Sequence, residues 1–245
     1  MDVFRRRELK FLVDQQQRQS LELLLQEKMV PDKHGRNTIC NLYYDTPDYR
    51  LIRRSLERPV YKEKLRLRSY GTPAPDEEVF LEIKKKFKGV VYKRREIMTL
   101  REAMAYIEEG QKPCDSQIMR EIDYAMHFYH QPQPMMLIAY EREAYFDADN
   151  PDLRITFDTN VRARDTDCRL EMGNHGDYLL PEDAIMMEIK TGGAMPVWLA
   201  QALSQCGIVP GRFSKYGTAY LRSAGLIPAP VYPRSTTRGD MIAHA

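Results

Sequence analysis

The chain has 245 residues, 43% of them hydrophobic and 29% charged, a balance that supplies a core and excludes a disordered chain. Thirty-seven basic residues against 35 acidic ones leave a formal net charge of +2, so overall charge points to neither nucleic acid nor a membrane surface. No window approaches the roughly 18 uninterrupted apolar residues of a membrane helix, and "MDVFRRRELKF" at the start lacks the apolar stretch of a secretory leader. Cys40, Cys114, Cys168 and Cys206 form no CxxC pair, which argues against a zinc cage or a dense disulfide framework and makes a reducing cytoplasm the expected compartment.

In chain order, the first predicted strand, 5–13, puts Arg6, Glu8 and Lys10 on one face and Leu9, Phe11 and Val13 on the other. Asp14 then suits a helix N-cap for "DQQQRQSLELLLQEKM". A strand at 37–45 follows. In the next, 59–70, Lys62, Lys64, Arg66 and Arg68 share one face, opposite Tyr61, Glu63, Leu65 and Leu67. After a loop at 71–77, strand 78–88 sets Glu82, Lys84 and Lys86 against Leu81, Ile83, Lys85 and Phe87. Lys88-Gly89 reads as a hairpin turn into strand 90–99, where parity alone does not decide whether Lys93 and Arg95, or Arg94 and Glu96, share the cationic face.

Helices are expected at 99–109 and 115–130. Strand 134–146 places Tyr140 and Arg142 opposite Glu141, Glu143 and Tyr145. Strand 152–164 places Arg154, Asp158, Arg162 and Arg164 opposite Ile155, Phe157 and Val161, and strand 184–191 sets Glu188 and Lys190 against Met187 and Ile189. Two more helices, 196–206 and 215–224, complete one domain over 1–227. The proline-rich stretch 228–245 is expected to be a flexible tail.

Charged faces on strand after strand, each backed by an apolar face, allow two architectures. In an open sheet the charged faces meet water; in a closed barrel they point inward and helices pack outside. Closure would gather about ten cations around one tunnel. Like charges about 4 Å apart repel by roughly 4 kcal/mol at an effective dielectric near 20, so such a tunnel calls for a polyanion. Glu8, Glu82, Asp158 and Glu188 would offset the charge or hold a divalent metal.

Eight short motifs in order, "ELKFLV", "LRLRSYG", "VFLEIKKK", "YKRRE", "YEREAY", "LRITFDT", "MEIK" and "FSKYG", resemble the triphosphate tunnel metalloenzymes, and among them the VTC (vacuolar transporter chaperone) polyphosphate polymerase domain. The resemblance implies an α+β fold, a closed antiparallel eight-stranded β-barrel with helices outside, that binds ATP and inorganic polyphosphate with Mn²⁺ or Mg²⁺. It implies phosphate ligands at Lys10, Arg66, Arg68, Lys84, Lys93, Arg142, Arg154, Lys190 and Lys215, with Tyr140 and Ser214 assisting. Glu188 would be the metal ligand, with Glu8, Glu82 and Asp158 as further candidates. Assembled polymerases of this family are associated with membranes; this chain shows no span, so any coupling of synthesis to transport would need a separate membrane partner, which the sequence does not identify. The related CYTH hydrolases begin with ExExK, where this chain has Arg6-x-Glu8-x-Lys10, a departure that favours retention of a long polyanion.

On that reading Arg66, Arg68, Lys84 and Arg154 orient the nucleotide and Glu188 places the metal, and no protein nucleophile is needed. Lys62 and Lys64 precede the matched motif and stand either at the mouth or on a solvated strand, while Arg162 and Arg164 are expected on the surface. Asp158 doubles as a possible partner of Arg154, and Glu82 of Lys84. Tyr43, Tyr44 and Trp198 read as packing residues, with stacking on a base as the alternative for an aromatic at the tunnel mouth. His34, His127, His130, His175 and His244 show no metal-site spacing, and His127 with His130 reads as a helix-surface pair. Three functions fit: a polyphosphate polymerase, a tunnel triphosphatase or cyclase, and a noncatalytic polyphosphate or inositol phosphate sensor.

Overall fold

Asp14 closes one element and opens the next. Its carboxylate accepts from the Gln17 amide at 2.7 Å while the Gln17 side chain accepts from the Asp14 amide at 3.2 Å, a reciprocal cap. It separates β1 (Arg7–Val13) from α1 (Gln15–Leu25). Then come β2 (Met29–Pro31), β3 (Asn37–Asp45), α2 (Arg50–Leu56), β4 (Tyr61–Tyr70), β5 (Glu78–Phe87) and β6 (Val90–Thr99). The chain continues through α3 (Leu100–Glu109), α4 (Gln117–Phe128), β7 (Gln133–Asp147), β8 (Arg154–Arg164), β9 (Asp177–Tyr178), β10 (Ile185–Thr191), α5 (Val197–Gln205) and α6 (Lys215–Ser223). The computed structural model describes residues 7–88 and 90–230; Arg6, Gly89 and residues 231–245 of the expected tail lie outside that range.

The eight predicted strands and five predicted helices all form, within a few residues at their ends. Helix α2 was not anticipated: it starts from Tyr49 at φ 58°, and no side chain of its own caps it. Its first turn is capped from the sheet instead, by the Asp45 carboxylate at the end of β3, which accepts from the Leu51 and Ile52 amides at 2.8 and 3.0 Å. The short strands β2 and β9, at three and two residues, carry too little pattern to be read.

The sheet is antiparallel, in the order β1-β10-β8-β7-β3-β4-β5-β6, with β2 added on β7 and β9 on β8. It curls but does not close. Among the described residues β1 and β6 do not pair, which corrects the expectation of a closed barrel. Part of the reason lies in the segment leading to α6: the Gly211 amide donates to the Lys10 carbonyl at 2.7 Å, so the edge of β1 not used by β10 is partly taken.

Packing sorts by face. The outer face of β3, β4, β5 and β7 buries Leu42, Leu65, Leu67, Leu81, Ile83 and Leu137 against Ala103 and Tyr106 of α3 and Met119, Ile122 and Met126 of α4. The outer face of β1, β8 and β10 buries Phe11, Val13, Ile155, Phe157, Met187 and Ile189 against Leu21 and Leu25 of α1 and Leu199 and Leu203 of α5. Each such fully buried aliphatic side chain contributes about 1.5–3 kcal/mol, so two helical layers hold the sheet's curvature in place. A third cluster, with Ile39, Tyr43, Met136, Ile138 and Met186, receives Ile52 of α2 and Tyr216 and Ala219 of α6 and adjoins the concave side.

Candidate anion-binding tunnel

The concave face encloses a cavity of about 1260 Å³. Lys10, Arg66, Arg68, Lys84, Lys93, Tyr140, Arg142, Arg154, Lys190, Ser214 and Lys215 all line it, together with Glu8 and Glu188. Their convergence follows from strand parity and register. Across β4, β5 and β6 one row is Lys64–Lys84–Lys93, the next is Arg66–Glu82–Arg95, and the next is Arg68–Phe80–Ile97. Like charges placed directly opposite on neighbouring strands cost stability, so a row of three lysines is not a device for holding a sheet together.

Carboxylates organise the rest. Glu82, almost fully buried, accepts from Arg66 at 2.7 Å, Arg95 at 2.6 Å and Lys93 at 2.7 Å. Although burial opposes its ionisation, Arg66, Arg68 and Lys93 hold its carboxyl far below the usual range. Asp158 takes Arg142 in a two-bond fork at 2.6 and 2.7 Å and also accepts from Lys215. Neither Glu82 nor Asp158 lines the cavity. The partners differ from those expected: Lys84 lies 3.8 Å from Glu8, not on Glu82, and Arg154 pairs with Asp32 at 2.8 Å, not with Asp158. Residues 82 and 84 point the same way but stand two apart along one strand, and the cross-strand neighbours win.

Glu188 is held differently. Four cations surround it at 3.5–3.7 Å, namely Lys190, Lys10, Arg142 and Lys215, each beyond a short hydrogen bond. Burial disfavours its charge, yet Lys215, Lys10, Lys190 and Arg142 keep the carboxyl well below the ordinary value. Among the described residues no group of three or more His, Cys, Asp or Glu forms a metal cage. A divalent ion that arrives with phosphates needs only one or two carboxylates, and Glu188, ionised, cavity-facing and without a tight partner, has that chemistry, with Glu8 beside it. Glu82 and Asp158 are occupied by forked and multiple ion pairs.

Helix α6 brings in the last residues. Ser214 caps it by accepting from the Gly217 amide at 3.2 Å, and Lys215 is buried with its ammonium 4.5 Å from the centre of the Tyr140 ring. Tyr216 donates to the buried Asp45 at 2.8 Å and stacks on Tyr43 at 4.4 Å, which locks the start of α6 against β3. Arg68 donates to Asn41 at 2.9 Å and lies 3.5 Å from the Tyr140 hydroxyl.

Several residues were under-read from sequence. Lys64 is a cavity residue, donating to Ser214 at 3.3 Å, and burial, with Lys10, Lys84 and Lys62 nearby, pushes its ammonium down to about 8. Strand parity carried that signal, although the family motif begins one residue later. Lys62 instead donates to the Ser55 carbonyl at 3.1 Å. On β6 the register decides the ambiguity: Lys93 and Arg95 face the cavity, while Arg94 turns outward to Glu121 on α4. Tyr43 packs as expected but also lines the cavity, with Arg66 3.4 Å from its hydroxyl. Arg162 and Arg164 leave the charged face because β8 bulges at Asn160, φ 51°. Neither is a bare surface residue: Arg164 is buried, donating to the carbonyls of Asp167, Arg169, Gly173 and His175, and Arg162 sits over the Tyr178 ring.

A family model of the VTC domain matches residues 5–223. The chain belongs to the VTC domain family. No curated protein matches it. Among solved structures, this VTC domain is similar to a candidate adenylyl cyclase from Hippeastrum described as having a dominant triphosphatase activity, at TM-score 0.53 and 16% identity over 90% of this chain and 96% of that one. Candidate adenylate cyclases from Bacillus halodurans (TM-score 0.48, 12% identity, 93% of each chain) and Vibrio parahaemolyticus (0.47, 14%, 87% and 96%) are also similar. The Hippeastrum likeness concerns the fold, an α+β antiparallel sheet with helices packed on it. No described helix is long and apolar enough to cross a membrane.

Proposed function

We propose that this VTC domain is a polyphosphate polymerase that moves the terminal phosphoryl group of ATP onto a growing inorganic polyphosphate chain with release of ADP. The observation that carries the reading is the Lys64–Lys84–Lys93 row inside a cavity walled by further arginines and lysines. The arrangement is repulsive when empty and is relieved by a ligand with many negative charges. Membership of the VTC family supports a phosphate polymer or triphosphate as that ligand.

Phosphoryl transfer asks the protein mainly for in-line positioning and for cations around the transferring group. Arg66 and Arg68 are pre-oriented by Glu82 and Asn41, so their forks are fixed before phosphate arrives. Lys84, partly exposed and only loosely paired with Glu8, is the cation free to turn to phosphate, and Arg154, half exposed on Asp32, receives phosphate at the mouth. The terminal oxygen of the chain attacks the γ-phosphorus, the bond from phosphorus to the β,γ-bridging oxygen breaks, and ADP departs with that oxygen. No side chain becomes covalently modified. A Mn²⁺ or Mg²⁺ held at Glu188, with Glu8 near, supplies neutralisation of phosphate charge when bound.

The Hippeastrum protein's triphosphatase activity favours a second reading, in which water replaces the chain end and orthophosphate is released. Wild type, Lys84→Ala and Glu188→Ala separate site from background. Both variants are expected to lose activity by about a hundredfold or more while keeping the fold, in line with loss of charge stabilisation at a transferring phosphoryl group. Near-normal turnover in both would reject the site.

A further inference from the structure

On the cavity-facing side of β4 to β6, successive rows are lysines, then Arg66–Glu82–Arg95, then Arg68–Phe80–Ile97, and the next residue on β4 is Tyr70. The face thus changes from cationic to aromatic. Tyr70 lines the cavity yet is 53% exposed, and Ile97 two strands away is 55% exposed. Tyr70 meets Phe80 edge to face at 5.6 Å, which fixes its ring. Phe80 is itself covered by the Arg95 guanidinium at 4.5 Å, and that guanidinium is neutralised by Glu82. Tyr70 is therefore the open aromatic surface of a supported group, in continuity with cations that could hold phosphates.

We propose that Tyr70, backed by Phe80 and Arg95, is a stacking ledge for the base of a nucleoside triphosphate. The inference rests on the proposed function and names the part of the donor that the cations do not read. Tyr70 stands one row past Arg68 and two past Arg66, about 7 and 13 Å along an extended strand. A nucleoside triphosphate covers a comparable span between its terminal phosphate and its base. An aromatic face stacks on any base, so the ledge favours nucleotide over free triphosphate without choosing strongly among bases.

The experiment compares two probes, a non-hydrolysable ATP analogue and inorganic tripolyphosphate, by titration calorimetry on wild type, Tyr70→Ala and Tyr70→Phe. Tyr70→Ala is expected to weaken the analogue by about tenfold, within the range measured for single base-stacking contacts, and to leave tripolyphosphate within about twofold. Tyr70→Phe, which retains the ring, is expected to match wild type. Unchanged affinity for the analogue in Tyr70→Ala overturns the ledge, as does equal weakening of both probes, because tripolyphosphate has no base. If wild type binds no tripolyphosphate, the phosphate-tunnel reading fails and the ledge with it; if it binds and Tyr70→Ala changes nothing, only the ledge fails.

Discussion

Glu8 on β1 and Lys84 on β5 lie 3.8 Å apart, an ion pair joining strands that no backbone ladder connects. The pair spans the open side of the curled sheet and occupies a cation assigned to phosphate. Glu8→Gln is therefore expected to strengthen metal-free tripolyphosphate binding by about two- to fivefold, the scale of a partly exposed pair. The melting temperature should move by less than about 3 °C. Calorimetry and thermal unfolding check both, and weaker binding would contradict the assignment of Lys84.

Asp158 is expected to matter for stability before activity. It is fully buried, and its removal leaves Arg142 and Lys215 without their carboxylate. Asp158→Asn should cost about 3–5 kcal/mol at pH 7, read as a lower denaturant midpoint at constant slope. Burial opposes its charge, but Lys215 and Arg142 hold the carboxyl below its ordinary value. Its contribution is thus complete above the unfolded carboxylate range and is lost only as pH falls through the lower folded value.

Lys62, Lys64, Arg66 and Arg68 look equivalent in sequence and separate in the fold. Lys64→Ala is expected to weaken tripolyphosphate by about tenfold or more, the scale of a charge-assisted contact. Lys62, tied to the Ser55 carbonyl, should tolerate alanine with less than about twofold change. Equal effects at the two positions would contradict the cavity's boundary.

How much was legible follows from these residues. Period-two alternation exposed the strands and their charged faces, because half-buried antiparallel strands must alternate. It missed Arg162 and Arg164, since one extra residue at Asn160 reverses parity beyond it. Ion-pair partners escaped it too: Arg142 with Asp158, Glu82 with Arg95 and Arg154 with Asp32 depend on register and loop placement, not on spacing within a strand. Helix α2 was hidden because its cap, Asp45, belongs to the preceding strand.

Phosphate binding should weaken in alkali. Burial lowers Lys64 and Lys93 to about 8, against Tyr43 and Glu82 respectively, which work in the opposite direction. Below that value both ammonium groups are charged; above it each must regain a proton for the polyanion. Tripolyphosphate affinity should fall about tenfold or more between pH 8 and 9, with proton uptake visible as a buffer-dependent calorimetric heat. Lys64→Arg should make the fall shallower, leaving the part that Lys93 contributes, because arginine stays charged there.

The most direct test of the polymerase reading is the product formed by wild-type protein from ATP with Mn²⁺ or Mg²⁺, followed by phosphorus NMR and gel analysis. The proposed site predicts ADP together with chains of many phosphates, lost in Lys84→Ala and Glu188→Ala. ADP and orthophosphate with no chain, with free tripolyphosphate turned over to orthophosphate as fast or faster, would contradict it.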